Sequence, residues 1–449
     1  MDLVDIQSAL GGTSKGQSLH DFMRLLYPIC RSITGEGVRQ TLRHLQQHIP
    51  LDIREVASGT KVFDWTVPLE WNIRDAYIAT TAGERVVDFQ NSNLHVVGYS
   101  TPIKGRYRRE ELAGHLYSLP DRPDWIPYRT SYYKENWGFC LTHRQLTELE
   151  DSEYEVCIDS TLSPGHLSYG EVFLPGERKE EVLISCHVCH PSLCNDNLSG
   201  IAVATYLAKT LGRVARKYSY RVLFLPGTIG SITWLARNQD RTHLIRHGVV
   251  LTGVGDSGHV TYKRSRQGNA YVDRIFRHVL KHRGPGNKVV DFSPYGYDER
   301  QYCSPGFNLP IGCFMRTTHG EYPEYHTSAD NLEFVSPAAL QDSLEILLQA
   351  VYAIENDVVP LSLNPYCEPQ LGKRGLYRAI AGQKEGAQKE MALLWVLNLS
   401  DGEHTLLDIA ERADVPFEII HAAARALTEC KLLEGTPMAQ VARHEGDQL

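Results

Sequence analysis

The chain has 449 residues, 42% of them hydrophobic and 22% charged, with a formal net charge of −8. That length and hydrophobic share suffice for two or three domains with cores of their own, and the acidic balance argues against a polyanion as the principal partner. The ten cysteines are scattered, residues 1–7 have neither the basic nor the apolar part of a secretory leader, and no apolar run nears the ~20 residues of a membrane span; the expectation is a cytoplasmic protein without a membrane segment.

In chain order, residues 19–30 and 37–48 read as amphipathic helices, the second with Val38, Leu42 and Leu45 on one face. Residues 51–120 change to short β-branched or alternating runs at 51–56, 76–79 and 85–89, divided by Gly, Pro and Asn turns, which predicts a small inserted β-rich domain closed by a short helix at 109–116. From 153 to 357 strands alternate with helices, the strands falling at 154–158, 181–185, 221–225 and 249–252. The pattern predicts an α/β domain with a mixed, mostly parallel sheet and flanking helices. Ser336 and Pro337 are placed as N-cap and first residue of a long closing helix that carries Leu344, Leu347, Leu348 and Val351. Beyond a stretch with two prolines, helices at 391–397, 405–413 and 416–427 and a strand at 431–435 give the order of a winged helix-turn-helix. The expected domains are 1–50 with 121–360, the insert 51–120, a linker 361–385 and a winged helix 386–440.

Chemistry concentrates in residues 186–200, between a predicted strand and a predicted helix, where a ligand site belongs in an open α/β sheet. That loop offers Cys186, His187, Cys189, His190, Cys194 and Asp196. Cysteine and histidine together could close a structural zinc site; alternatively His187 and Asp196 reach a metal and the cysteines stand by. A third reading leaves the histidines bonded to backbone and the cysteines as small buried hydrophobes. Another histidine, His326, lies in the polar, aromatic loop 320–331 and is a candidate third ligand.

At the segments 58–68, 130–133, 137–140, 195–200 (Asn-Asp-Asn-Leu-Ser-Gly) and 325–330 (Tyr-His-Thr-Ser-Ala-Asp), the chain resembles the M28-type zinc aminopeptidase family. It is most similar to the DUF4910 branch of aminopeptidase-like proteins, with an inserted DUF2172 domain and a C-terminal winged helix, some of them associated with polysaccharide or secondary-metabolite clusters. The resemblance covers nearly the whole chain. It implies the family's α/β fold, a zinc-dependent hydrolytic activity, and His187, Asp196 and His326 as metal ligands, with His190 a weaker alternative. Cys189 stands where the family has the Asp that orients the first His. The family's Glu-Glu pair corresponds to Gly227 and Thr228, which can supply neither a general base nor a second metal ligand, and the strand-end Asp is matched only by the later Asp256. One zinc ion is therefore expected. Such a metal, with three ligands and water, lowers the water's pKa toward ~7 but needs a nearby proton acceptor. The segment Asp298 to Gln301, which carries Glu299, is the first choice because it lies between two predicted strands, with Glu321, Glu324 and Asp256 as further candidates and Arg300 as a clamp for a carboxylate or oxyanion.

The aromatic runs 63–65, 126–128 and 132–133 are read either as pocket lining or as domain packing. The winged helix has nine acidic residues against four basic ones over 386–435, and its expected recognition helix carries Glu418 and only Arg425. That composition disfavours nucleic acid and points to protein contact or homo-oligomer formation. The leading expectation is a metal-dependent hydrolase acting on an amide bond of a small molecule or peptide-like biosynthetic intermediate. The runner-up, suggested by Gly227 and Thr228, is a catalytically altered protein that binds a ligand or partner.

Overall fold

The computed structural model describes residues 14–150, 152–376 and 384–437. It comprises two compact units, one running to residue 270 and including 288–345, the other made of 271–287 and the residues from 346 onward.

The first unit begins with α1 (Gly16–Leu26) and α2 (Glu36–Gln46). Leu19, Phe22, Met23 and Leu26 recur at helical spacing on the buried face of α1, and Val38, Leu42 and Leu45 do so on α2, as their periodicity requires. There follow β1 (Asp52–Ala57), β2 (Glu70–Thr80), β3 (Arg85–Asp88), β4 (Ile103–Arg108), β5 (Glu153–Ser163), β6 (His166–Leu174), β7 (Glu181–His187), α3 (Gly200–Leu211), β8 (Ser219–Leu225), α4 (Ile229–Arg237), β9 (Ile245–Leu251) and β10 (Thr261–Lys263). After the excursion into the second unit come β11 (Lys288–Val290) and β12 (Ile311–Met315).

Eight strands form a mixed sheet in the order β1-β6-β8-β7-β9-β12-β10-β11. The central strands β8, β7, β9 and β12 are mutually parallel, and antiparallel partners join at both sides. Every residue of β7 and β8 is buried, which is why their middles, 182–184 and 222–225, read as continuous apolar runs and not as alternating ones. The carboxyl end of β7 thus opens in the middle of the sheet, flanked by the ends of β8 and β9.

The β-rich module has a different membership from the expected 51–120. Its four strands run β3-β2-β5-β4. β5, expected in the α/β sheet, pairs antiparallel with β2 from Glu70↔Ser163 to Thr80↔Tyr154, while β1 leaves the module to line the edge of the large sheet, from Asp52↔Glu171 to Ala57↔His166. Alternating half-buried strands carry a periodicity but no address, so the pattern that revealed both strands could not say which sheet each joins. The short helix expected at 109–116 is a single turn at Arg109–Leu112 continued by a 3₁₀ turn at Ala113–His115.

The second unit contains α5 (Tyr271–His282), the later part of α6 (Pro337–Asn356), β13 (Val358–Ser362), α7 (Lys384–Leu399), α8 (Leu406–Ala413), α9 (Phe417–Glu429) and β14 (Leu433–Pro437). Ser336 caps α6 as anticipated, its hydroxyl accepting from the Ala339 amide at 3.0 Å. β13, in the stretch read as leading into a linker, instead pairs antiparallel with β14 to form the wing. Pro360 lies opposite Gly435 in this ribbon, and on the strand's other side its carbonyl accepts from the Gly402 amide at 3.1 Å while Leu361 bridges to Asp401. Acidic residues of α8 face α5: Arg274 donates to Asp408 and Glu411 at 2.6 Å each, and Arg277 donates to Glu411 at 2.9 Å. On α9, Phe417 and His421 pack against Tyr352 of α6. Among the described residues, no helix is long and apolar enough to cross a membrane.

Candidate metal centre

β7 ends at His187, and the chain turns through residues 188–193 before Cys194–Ser199 wind irregularly into α3, with Asp196 and Asn197 outside helical geometry. The side chains of this motif are what fix the turn. Asn195 accepts through Oδ1 from the amides of Gly255 and Asp256 at 2.9 and 3.1 Å. Asn197 accepts from the amides of Gly200 and Gly253 at 3.1 and 3.2 Å and donates to the Leu251 carbonyl at 3.0 Å. Ser199 accepts from the Val254 amide at 3.0 Å. Glycine is required at 200, since a Cβ there would stand 2.3 Å from Asn197 Oδ1. The motif thus buttons the loop onto the backbone that follows β9, leaving Asp196 free to point elsewhere.

Asp196 is fully buried, and three imidazoles converge on it. His187 Nε2 lies 2.9 Å from Oδ1, His326 Nε2 lies 3.0 Å from Oδ2, and His190 Nδ1 lies 3.3 Å from Oδ2 and 3.0 Å from the Asp196 carbonyl. Burial alone would raise the Asp196 pKa, but the charge of His190 and the hydrogen bonds from His187, His190 and His326 outweigh it and hold the group well below the usual carboxylate range. Behind it, Asp330 accepts the amides of Asn195 and Asp196 at 2.5 and 3.0 Å.

Aromatic rings hold the imidazoles in orientation. Tyr297 stacks on His187 at 5.0 Å, Tyr325 stacks on His326 at 4.0 Å, and Tyr128 meets His190 and His326 edge-on at 5.1 and 5.2 Å. The Tyr128 amide also donates to the His326 carbonyl at 2.8 Å. His326 has φ +55°, a left-handed conformation that costs a histidine on the order of 1 kcal/mol and persists where neighbours over-determine it.

Imidazole nitrogens and one carboxylate are the donors that zinc takes, and the ligand atoms of His187, His190 and Asp196 lie within 4.8 Å of one another. The residues present therefore fit such an ion. His190, ranked behind the others from sequence, is in the group. The cysteines are not drawn to it: Cys189 Sγ points to the Gly227 carbonyl at 3.8 Å, and Cys186 Sγ is within 3.3 Å of Asn197 Nδ2. Where the family has an orienting Asp for the first His, here Asn197 Nδ2 stands 3.3 Å from His187 Nδ1.

The expected proton handlers fare differently. Glu299 is fully buried and locked to Lys263 Nζ at 2.5 Å, with the Tyr297 amide donating to it at 3.1 Å; an ion pair of this kind holds structure and removes Glu299 as a free base. Asp256 is likewise committed, accepting from Asn195 Nδ2 at 3.0 Å, the Thr317 hydroxyl at 2.6 Å and the Gly258 amide at 2.7 Å. Glu321 is exposed, and Glu324 and Arg300 are half-buried. Of the aromatic runs, Tyr128 reaches the histidines, whereas Phe63 and Trp65 line a separate groove of about 380 Å³ with Ile232, Leu235 and Phe307. Sequence reasoning did not single out Tyr297 or Tyr325, whose only signal was their place beside residues that were singled out, whereas Asp298 lies within the favoured segment 298–301 and is buried.

An eight-stranded mixed sheet with flanking helices, and His and Asp gathered where its central strand ends, defines the zinc aminopeptidase fold, here joined to a winged helix. The Bacillus subtilis zinc aminopeptidase superposes with a TM-score of 0.54 at 12% identity, over 76% of this chain and 96% of that one, a likeness of fold alone. The chain belongs to the DUF4910 family, described as a domain of unknown function, which matches residues 20–357, and a winged helix-turn-helix family matches 358–435. A Clostridium acetobutylicum protein named for polysaccharide biosynthesis and an aminopeptidase-like domain, both provisionally, is 52% identical over 93% of this chain and 96% of its own. A crystal structure from the same organism, of a protein provisionally described as a peptidase, has a TM-score of 0.91 at 50% identity, over 96% of this chain and 98% of that one.

Proposed function

We propose that the protein is a metal-dependent hydrolase of an amide bond in a small molecule or peptide-like biosynthetic intermediate, with one zinc ion held by His187, Asp196 and His326 and approached by His190. The observation that carries this reading is the buried Asp196 carboxylate with three imidazoles on its two oxygens. The zinc aminopeptidase fold and the names of the Clostridium relatives support the reaction class and the biosynthetic setting. Bound zinc would polarise a carbonyl and ease ionisation of water. For their part, Tyr297, Tyr325 and Tyr128 keep the imidazoles aimed, and Asp330 and Asn195 keep Asp196 in place.

Metal analysis of the purified protein beside His187→Ala and His326→Ala tests the centre. Metal present in the wild type and lost in both variants is expected; metal content unchanged in both overturns the assignment. Release of amines from aminoacyl and acylated-sugar probes then tests hydrolysis. The second reading, a ligand- or partner-binding protein in a biosynthetic complex, is favoured by Gly227 and Thr228 and predicts metal without turnover. For the winged helix we propose contact between protein chains, supported by its nine acidic residues against four basic ones over 386–435.

A further inference from the structure

Hydrolysis of an amide requires a group that takes a proton from water and hands one to the leaving nitrogen. The buried carboxylates around the centre are nearly all spoken for. Asp196 has the three histidines, Asp330 the amides of its neighbours, Asp256 the Asn195–Thr317 network and Glu299 the Lys263 ammonium. Asp298 differs from them. The Ser231 hydroxyl, in the first turn of α4, donates to its Oδ1 at 2.8 Å, while its Oδ2 is buried and has no hydrogen-bond partner.

Both oxygens of this carboxyl look onto one place. Gly227, half-buried at the end of β8, has no side chain, and a Cβ there would stand 3.2 Å from the Cβ of His187 and 3.7 Å from each carboxylate oxygen of Asp298. The space that a side chain at 227 would fill therefore lies between the first histidine of the centre and the Asp298 carboxyl. The position where the sequence lacks an acid is the position that an acid from another loop faces.

We propose that Asp298 takes and returns the proton in this reaction, through the opening that Gly227 leaves beside His187. The assignment rests on the hydrolase reading above. As the water oxygen bonds to the carbonyl carbon, its O–H bond breaks and the proton passes to Asp298; the proton then goes to the nitrogen as the C–N bond breaks, which regenerates the carboxylate. Desolvation brings the Asp298 pKa up to about 7, with the Ser231 hydrogen bond opposing, so near neutrality the group can both accept and donate.

The test uses the full chain loaded with zinc, leucine p-nitroanilide and N-acetylglucosamine as probes, and the variants Asp298→Asn and Gly227→Ala. Asp298→Asn is expected to keep the zinc stoichiometry and KM and to lose about 100-fold or more in kcat. Independently of turnover, the infrared band of the protonated Asp298 carboxyl, assigned by subtraction of Asp298→Asn, should shift promptly in D2O and do so more slowly in Gly227→Ala. Wild-type kcat in Asp298→Asn, or a wild-type band that resists exchange, overturns the assignment and leaves the hydrolase reading intact. Zinc-loaded wild type inert on both probes and on the wider amine-release screen overturns the hydrolase reading and this step with it.

Discussion

Two loops leave the centre of the sheet side by side, and they have opposite characters. Residues 187–199, from the last residue of β7, carry two histidines, two cysteines and an aspartate, and nearly every polar side chain there has a named partner. Residues 226–228, after β8, offer a proline, a glycine and a threonine, and the glycine leaves a hole. The contrast separates two tasks that an enzyme of this fold combines. Holding a cation needs convergent donors kept rigid from behind, which the first loop supplies. Moving a proton needs an uncommitted group within reach, which the second loop lacks and Asp298 can supply from a third segment.

The comparison breaks most sharply at Asp196. Asp196→Ala removes the one anion among three imidazoles, and metal affinity should fall by more than the ~10–100-fold that losing an outer hydrogen-bond partner costs. Equilibrium dialysis with zinc would measure it, and retained affinity would mean that the donor-rich loop is not a metal site.

Glu299 tests the opposite claim, that a carboxylate near the donor-poor loop is purely structural. Truncation by Glu299→Ala strands the Lys263 ammonium in the interior and should cost about 3–5 kcal/mol. Chemical denaturation reads the loss, and the double variant Lys263→Met, Glu299→Leu should recover most of it. A stable Glu299→Ala protein lacking only turnover would restore Glu299 to the chemistry.

Much of this is legible in the sequence. Val38, Leu42 and Leu45 announce α2 by spacing alone, the apolar run of β7 announces a covered central strand, and the Asn-Asp-Asn-Leu-Ser-Gly motif marks the site because its two asparagines and its serine take backbone partners and leave Asp196 for the histidines. What stayed hidden depends on which strand lies beside which. Lys263 and Glu299 are far apart in sequence and meet only because β10 joins the far side of the sheet. Within the favoured segment 298–301, Asp298 is told apart from Glu299 only when Gly227 is seen to face it. His190 looked secondary because its ring reaches Asp196 only after the turn at 191–193 is folded.

Asp298 also gives the molecule a dependence on pH with a definite sign. In the unfolded chain the group ionises near 3.8, while in the folded protein it keeps its proton up to about 7. Between those values the unfolded state binds fewer protons, so stability falls as pH rises, by up to about 1.4 kcal/mol per unit, and the contribution is fully present only below the lower value. Asp298→Asn should remove that slope. Melting temperatures from pH 4 to 7 for the wild type and the variant measure it, and parallel curves would mean that the carboxyl is not held neutral.

The smallest effect belongs to Cys189, and it sharpens the contrast because it decides whether the sulfurs of the crowded loop share its task. Cys189 is buried with its Sγ toward the Gly227 carbonyl at 3.8 Å, away from the imidazoles on Asp196. Burial pushes its thiol up to about 12, whereas a zinc-ligating cysteine acts as thiolate. Cys189→Ala should therefore leave zinc affinity within about 2-fold and cost only about 1 kcal/mol, the usual scale for a modest loss of buried volume. A drop in zinc content on that substitution would bring sulfur into the donor set and make the centre a cysteine–histidine site.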